Sequence, residues 1–167
     1  MNLPSPSEGR IKMEENLVTL KIDDKEVKVK QGTTILQAAK QAGIDIPTLC
    51  FLKDINEVGD CRMCIVEVDG RKGFATSCIQ KAEEGMVVHT HSPAVMEARR
   101  VILDLILSNH HRDCLTCSRN GNCELQALAM KFNVQHVEFE GEMTEHKVDD
   151  KSPAIMRDFN KCILCRR

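Results

Sequence analysis

The sequence predicts an α+β protein in which a small mixed β-sheet is followed by a small helical unit. Three observations lead to this fold class. In the first half of the chain, short stretches alternate apolar and polar residues between turn residues typical of hairpins. Two later stretches carry apolar residues at helical spacing. Seven cysteines and a histidine form two groups of four near these elements, which indicates metal binding.

The sheet begins with a hairpin. Residues 17–22 and 26–30 alternate apolar and polar side chains, and the charged run between them makes the turn. Further strands are predicted at 65–68, 74–78 and 86–90, with Asp69-Gly70 as a second hairpin turn.

One helix lies between the two hairpins. Thr33 or Thr34 can cap this helix, and Gln37, three residues after Thr34, has the spacing of a capping box. Gly43 suits the left-handed position just past its end. Two hairpins, one helix and a late strand predict a sheet of the β-grasp type.

The helical unit starts at Ser92-Pro93, with Ser as N-cap and Pro in the first turn. The helix is expected to end near Asn109. Its predicted apolar stripe is Val95, Ala98, Ile102, Leu105 and Ile106, opposite Glu97, Arg100 and Asp104. A second helix is predicted after Cys123, with a stripe of Leu125, Leu128, Ala129 and Phe132.

Composition excludes several classes of function. The net charge of -2 and the absence of Trp and Tyr argue against a nucleic-acid partner. Residues 101–107 form the most apolar run, which Asp104 interrupts, so no direct membrane insertion is expected. The first 16 residues contain no apolar signal segment, and we expect a cytoplasmic protein. Nine cysteines at close spacings fit metal ligation better than a disulfide framework.

The first quartet is Cys50, Cys61, Cys64 and Cys78. A [2Fe–2S] cluster needs four thiolates, and a loop that wraps it supplies ligands close in sequence. Backbone N–H groups of Gly59, Asp60, Arg62 and Met63 are expected to point at the sulfurs. A four-cysteine zinc site is the alternative.

The second quartet is His110, Cys114, Cys117 and Cys123, with His111 as the competing histidine. An imidazole in place of a thiolate removes one negative charge from the ligand set and makes reduction of an iron–sulfur cluster easier. The helix after Cys123 would direct its positive end at an anionic cluster. A zinc knuckle is the alternative.

Cys162 and Cys165 form a third, incomplete set. Two thiolates leave half of a cluster without ligands, so its other ligands must come from a later segment or from another chain. The sequence around them looks like the opening of a bacterial C-x2-C-x2-C-x3-C run. A free redox pair is the alternative.

At these cysteine and histidine patterns, residues 17–167 resemble the N-terminal part of the NuoG-like large iron–sulfur subunits. That family includes the large iron–sulfur subunit of complex I, the catalytic subunit of NAD(P)-linked [FeFe]-hydrogenases and the alpha subunit of NAD-dependent formate dehydrogenases. The resemblance implies that the first quartet holds a [2Fe–2S] cluster and the second a [4Fe–4S] cluster. Cys162 and Cys165 would begin a further [4Fe–4S] site.

The resemblance also implies the domain organisation. We expect a flexible leader at 1–15 and a β-grasp [2Fe–2S] ferredoxin-type domain at 16–92. A histidine- and cysteine-ligated [4Fe–4S] helical domain would follow at 93–135. An acidic connection at 136–158 would lead to the incomplete start of a ferredoxin-type segment at 159–167.

The implied function is electron relay within a multisubunit NAD(P)-linked oxidoreductase, with no substrate-converting site in this chain. The implied partners are a flavin- and NAD(P)-binding iron–sulfur subunit and a thioredoxin-like [2Fe–2S] subunit. Residues 113–117 and 122–126 look most like the hydrogenase and formate dehydrogenase versions, which favours a hydrogenase that could bifurcate electrons. A complex I-type or formate dehydrogenase subunit and a zinc-stabilised interaction module are the alternatives. Residues of an H-cluster or molybdopterin domain are absent, so we expect a portion of a longer subunit or a short subunit completed by a neighbour.

Overall fold

The computed structural model describes residues 16–141, 143 and 145–167. The predicted leader, 1–15, lies outside the described residues. The fold consists of a five-stranded sheet with one helix, then two further helices, then an irregular C-terminal segment that contains Cys162 and Cys165.

The sheet is mixed and has the strand order β2-β1-β5-β3-β4. β1 pairs with β5 in parallel, and the other neighbours are antiparallel. This arrangement confirms the predicted α+β class. The strands are β1 (Leu17–Ile22), β2 (Lys25–Lys30), β3 (Ile65–Val68), β4 (Phe74–Thr76) and β5 (Val87–His89).

Helix α1 (Ile35–Gln41) begins at the predicted capping box. The Gln37 amide donates to Thr34 Oγ1 at 3.2 Å, and the Thr34 amide donates to Gln37 Oε1 at 3.2 Å. Gly43 follows the C-cap with a φ of +71°, as expected for a left-handed stop. The helix buries its apolar face in the core of the sheet, through Ile35, Leu36, Ala38 and Ala39.

Two strands are shorter than predicted. β4 stops at Thr76 because the Thr76 carbonyl accepts from the amides of Ile79 and Gln80, which turns the chain before Cys78 can extend the strand. β5 stops at His89 because the amide of Thr90 donates to the Asp23 carboxylate at 2.8 Å instead of to a neighbouring strand. The turn after Thr76 therefore places Cys78 just beyond the end of β4.

The helical unit contains α2 (Pro93–Ser108) and α3 (Glu124–Lys131). Ser92 caps α2 as predicted, accepting from the Val95 amide at 3.3 Å. Short 3₁₀ turns lie at Cys114–Thr116 and Phe159–Lys161. A second apolar cluster, which we call the shared core, joins this unit to the loops of the sheet domain. Its buried members are Leu49, Met63, Leu103, Leu125 and Phe132.

The buried face of α2 differs from the predicted stripe. Leu105 is 48% exposed, whereas Asp104 is 6% exposed and Arg99 is fully buried. Arg99 lies four residues from both Val95 and Leu103, and this row packs inward. Asp104 lies inward because its carboxylate accepts from the Glu138 amide at 3.0 Å. The prediction that Asp104 faces solvent was therefore wrong.

None of the helices in the described part of the chain has the length and apolar composition that crossing a bilayer requires.

Candidate metal centres

The fold brings all four cysteines of the first quartet together in pairs. The Cys50 amide donates to Cys61 Sγ at 3.4 Å, and the Cys61 amide donates to Cys50 Sγ at 3.5 Å. Cys64 and Cys78 form the other pair, in which the two side chains shift each other's pKa in opposite directions. Cys50, Cys64 and Cys78 are each 1% exposed, and Cys61 is half-buried.

The environment of the site shifts the pKa of three of these thiols in different directions. Burial raises the pKa of Cys61 to about 11. The hydrogen bond from Cys78 lowers the pKa of Cys64 to about 6, and the same bond raises the pKa of Cys78. Negative charge on the other three sulfurs raises the pKa of Cys78 further. Four cysteine sulfurs brought together in this way are the donor set of an iron–sulfur cluster, whose positively charged iron stabilises their thiolate forms.

Backbone amides surround the sulfur of Cys61. The amide of Cys50, which was not predicted, donates to it at 3.4 Å, and the backbone amides of Met63, one of the four predicted donors, and of Leu49 act to lower the pKa of this thiol. Amides directed at a sulfur stabilise negative charge on it. The loop can approach the sheet because Gly59 has no side chain. A Cβ there would lie 3.1 Å from Thr76 Cγ2.

Sequence reasoning missed two buried polar residues at this site. The fully buried Arg99 donates from Nε to the Met63 carbonyl at 3.1 Å and from Nη2 to the Ile65 carbonyl at 2.7 Å. These two carbonyls flank Cys64. The spacing Val95-x3-Arg99-x3-Leu103 was the available signal for Arg99, since it places the arginine in an apolar row.

Asn56 is the second missed residue. Its side-chain amide donates to the carbonyls of Cys50 and Cys165, each at 2.8 Å, and the residue is 6% exposed. Asn56 therefore joins the first quartet to the third cysteine pair. Nothing in the sequence signalled this contact, because its two partners are far apart along the chain.

The second quartet lines one small recess that is partly open to solvent. α2 ends just before His110, the first 3₁₀ turn carries Cys114, and Cys123 is the N-cap of α3. The structure thus brings together the predicted histidine and three cysteines. The lining residues are His110, His111, Cys114, Cys117, Arg119, Asn120, Cys123 and Gln126.

Both histidines at the recess have a buried ring nitrogen without a hydrogen-bond partner, Nδ1 of His110 and Nε2 of His111. Such nitrogens are unusual in a folded protein and suit a metal ligand or its immediate surroundings. Burial, followed by the charge of Lys161, lowers the pKa of His110 and favours the neutral imidazole that binds metals. Three thiols and a neutral imidazole in one recess fit the ligand set of an iron–sulfur cluster.

The third pair lies apart in the C-terminal segment. Cys162 is exposed and accepts from the Leu164 amide at 3.4 Å, and Cys165 is half-buried. Arg166 pairs with Asp60 at 2.9 Å, and Arg167 pairs with Glu124. These contacts attach the segment to the loop before Cys61 and to the start of α3.

The two quartets meet at the shared core. Cys61 of the first and Cys123 of the second both pack against this cluster.

Among the described residues, no three histidine, cysteine or carboxylate side chains are grouped closely enough to hold a single metal ion.

Family profiles match the two halves of this arrangement. A profile described as a 2Fe-2S iron-sulfur cluster binding domain matches residues 15–93. A profile described as the NADH-ubiquinone oxidoreductase-G iron-sulfur binding region matches residues 99–138. They confirm the two predicted cofactors, a [2Fe–2S] cluster and a [4Fe–4S] cluster.

Curated relatives align along nearly the whole chain. The NADP-reducing hydrogenase subunit HndD of Solidesulfovibrio fructosivorans is 45% identical over 157 residues, which cover 91% of this chain and 27% of the relative. The mitochondrial NADH-ubiquinone oxidoreductase 78 kDa subunit of Neurospora crassa is 36% identical, over 90% of this chain and 20% of the relative. The NADPH-Fe(3+) oxidoreductase subunit alpha of Geobacter sulfurreducens is 38% identical, over 90% of this chain and 18% of the relative. The chain thus spans about a fifth to a quarter of these relatives.

A solved structure has the same fold. A chain of the NAD+-reducing [NiFe]-hydrogenase, crystallised in its H2-reduced state, superposes with a TM-score of 0.83 and 32% identity. The match covers 89% of this chain and 62% of the hydrogenase chain.

Proposed function

Because the chain belongs to the NuoG-like family of iron–sulfur subunits, we propose that it relays electrons within a multisubunit NAD(P)-linked oxidoreductase. The relatives that support this proposal are named as hydrogenase, NADH-ubiquinone oxidoreductase and NADPH-Fe(3+) oxidoreductase subunits. When bound, the clusters supply one-electron redox chemistry.

The proposal assigns ligands to each cluster. The sulfurs of the first quartet would bind the [2Fe–2S] cluster, and His110 with Cys114, Cys117 and Cys123 would bind the [4Fe–4S] cluster. The paired thiols, the recess and the unpartnered imidazole nitrogen support these assignments. Cys162 and Cys165 would contribute to a further [4Fe–4S] cluster with ligands outside these residues. On this proposal, residues 16–92 and 93–135 act as separate cluster domains, and 136–158 connect them to the third pair.

The proposed electron relay between the two clusters rests on one observation. Cys61 and Cys123, one proposed ligand from each cluster, pack against the same apolar side chains of the shared core. A packed core holds its neighbours at fixed separations and excludes water between them. The protein would thus fix the spacing of two redox centres and keep the path between them dry.

The partners belong to the same proposal. A flavin- and NAD(P)-binding iron–sulfur subunit and a thioredoxin-like [2Fe–2S] subunit would exchange electrons with this chain. The cytoplasm is the proposed compartment because it keeps the ligand thiols reduced. The higher identity to the hydrogenase subunit, 45% against 36% for the mitochondrial 78 kDa subunit, favours a hydrogenase-type complex over a complex I-type one.

Anaerobic purification followed by iron, zinc and acid-labile sulfide analysis tests the proposal. We expect about six iron and six sulfide per chain from one [2Fe–2S] and one [4Fe–4S] cluster. EPR of the reduced protein should show two distinct paramagnetic species. Bound zinc without sulfide would contradict the proposal.

Two variants assign the signals. Cys64→Ala should remove only the [2Fe–2S] signal and about two iron, and Cys117→Ala only the [4Fe–4S] signal and about four iron. Each variant serves as the control for the other. Loss of the same signal in both would overturn the ligand assignment.

A further inference from the structure

The buried guanidinium of Arg99 contacts the backbone on both sides of Cys64, a member of the first quartet. Its side chain is fully buried, and its two hydrogen bonds reach the carbonyls of Met63 and Ile65, on either side of Cys64. The arginine is fixed by these bonds, so its charge has a defined position relative to the Cys64 sulfur.

Among the described residues, no carboxylate pairs with this positive charge. In the part of the chain that the structure describes, Arg99 forms no salt bridge, and its Nη1 has no hydrogen-bond partner. Burial lowers the pKa of Arg99 to about 10, and the negative charges of Cys64, Asp45 and Asp23, in that order, act in the opposite direction. A buried charge is costly unless something of opposite sign lies nearby.

A ferredoxin-type cluster with four thiolate ligands supplies that opposite sign. Its ligands carry four negative charges, and reduction adds one more electron to the assembly. A fixed cation in a low-dielectric interior attracts the reduced form more strongly than the oxidised form. It therefore makes reduction easier.

We propose that Arg99 is a positioning residue of the first site, which clamps the loop around Cys64 and raises the reduction potential of the cluster bound there. The inference rests on the proposed function, because it needs a cluster on the first quartet. It assigns a role to a residue that binds neither the cluster nor a substrate.

The neighbouring arginine provides a matched control. Arg100 is the next residue of α2, but its side chain is exposed, pairs with Glu97 at 3.2 Å and donates to the Phe132 carbonyl at 3.3 Å. It has the same chemistry as Arg99 but is exposed, so a general effect of charge would affect both residues.

The experiment compares four variants of the full chain, loaded with clusters under anaerobic conditions. Arg99→Met and Arg99→Gln remove the charge, Arg99→Lys keeps it, and Arg100→Met is the control. EPR-monitored redox titration gives the midpoint potential of each cluster, and the second cluster of every sample is the internal reference.

We expect Arg99→Met and Arg99→Gln to lower the reduction equilibrium constant of the [2Fe–2S] cluster at least tenfold, a negative shift of about 59 mV for one electron. Arg99→Lys should retain most of the wild-type potential. The second cluster should not shift in any variant, and Arg100→Met should shift neither. Wild-type potential in Arg99→Met or Arg99→Gln would overturn the proposal, since a purely structural arginine would not move the potential.

Failure of assembly is also informative. If both neutral variants lose the [2Fe–2S] cluster while Arg99→Lys keeps it, the charge is required and the proposal is supported. If Arg99→Lys loses it too, the role of the charge is overturned. Absence of both clusters from the wild-type chain would instead contradict the proposed function and is distinct from these outcomes.

Discussion

At the residue scale, the second site contains two adjacent histidines of which one is the proposed ligand. Both line the recess, and each has an unpartnered ring nitrogen. His110 follows the C-cap of α2 directly, and its amide donates to the Leu107 carbonyl at 3.2 Å. The amide of His111 instead donates to the Asn160 carbonyl at 3.3 Å, toward the C-terminal segment. The two residues are thus held by different parts of the chain.

Replacing each histidine separately identifies the ligand. We expect His110→Ala to lose the [4Fe–4S] EPR signal and about four iron per chain, because three thiolates leave one iron of the cluster without a ligand. His111→Ala, the matched control, should keep both. If His111→Ala instead loses the signal and the iron while His110→Ala keeps them, His111 is the ligand.

Some residues of the two sites could be predicted from the sequence, and others could not. Spacing predicted that His110 and Cys114 lie in one site, because the two residues are only four positions apart and a short turn joins them. Arg99 was not predicted, because its burial depends on the carbonyls of Met63 and Ile65, more than thirty residues away. Asn56 was missed for the same reason.

At the scale of elements, the predicted helix starts were correct because capping is local. The capping box of α1 and the Ser92 cap of α2 each involve residues three positions apart. The buried face of α2 was predicted less well. A polar side chain lies inward when partners from other elements satisfy it, as Glu138 does for Asp104.

Removing the cap of α2 should destabilise the helical unit. In Ser92→Ala the Val95 amide loses its acceptor, and we expect a loss of about 1 kcal/mol in the free energy of unfolding. Urea titration followed by circular dichroism measures it. Ser152→Ala, at an exposed position in an irregular segment, is the control and should change stability by less than about 0.5 kcal/mol. An equal effect of both variants would contradict the role of the cap.

At the scale of the whole molecule, the C-terminal segment is attached by contacts of different strength. The ion pair of Arg166 with Asp60 lies at the surface, where such pairs contribute little. The Asn56 amide is buried and satisfies two carbonyls. Of these two contacts, the buried Asn56 should contribute more to the attachment than the surface ion pair.

A pair of variants separates these contacts. Asn56→Ala should lower the free energy of unfolding by about 1–3 kcal/mol, because a buried carbonyl and a part-buried one lose their donor. Arg166→Ala, the control, should cost at most about 1 kcal/mol. Chemical denaturation of the two proteins, prepared in the same way, gives both values. A larger loss in Arg166→Ala would show that the surface pair dominates.

The two hydrogen bonds of Asn56 become possible at different times while the chain is being synthesised. Cys50 is already made when Asn56 is added, but Cys165 follows 109 residues later. At about 5–20 residues per second, the ribosome needs roughly 5 to 20 seconds to reach it. During that interval a nascent chain lacks one of the bonds that complete the loop of the first quartet.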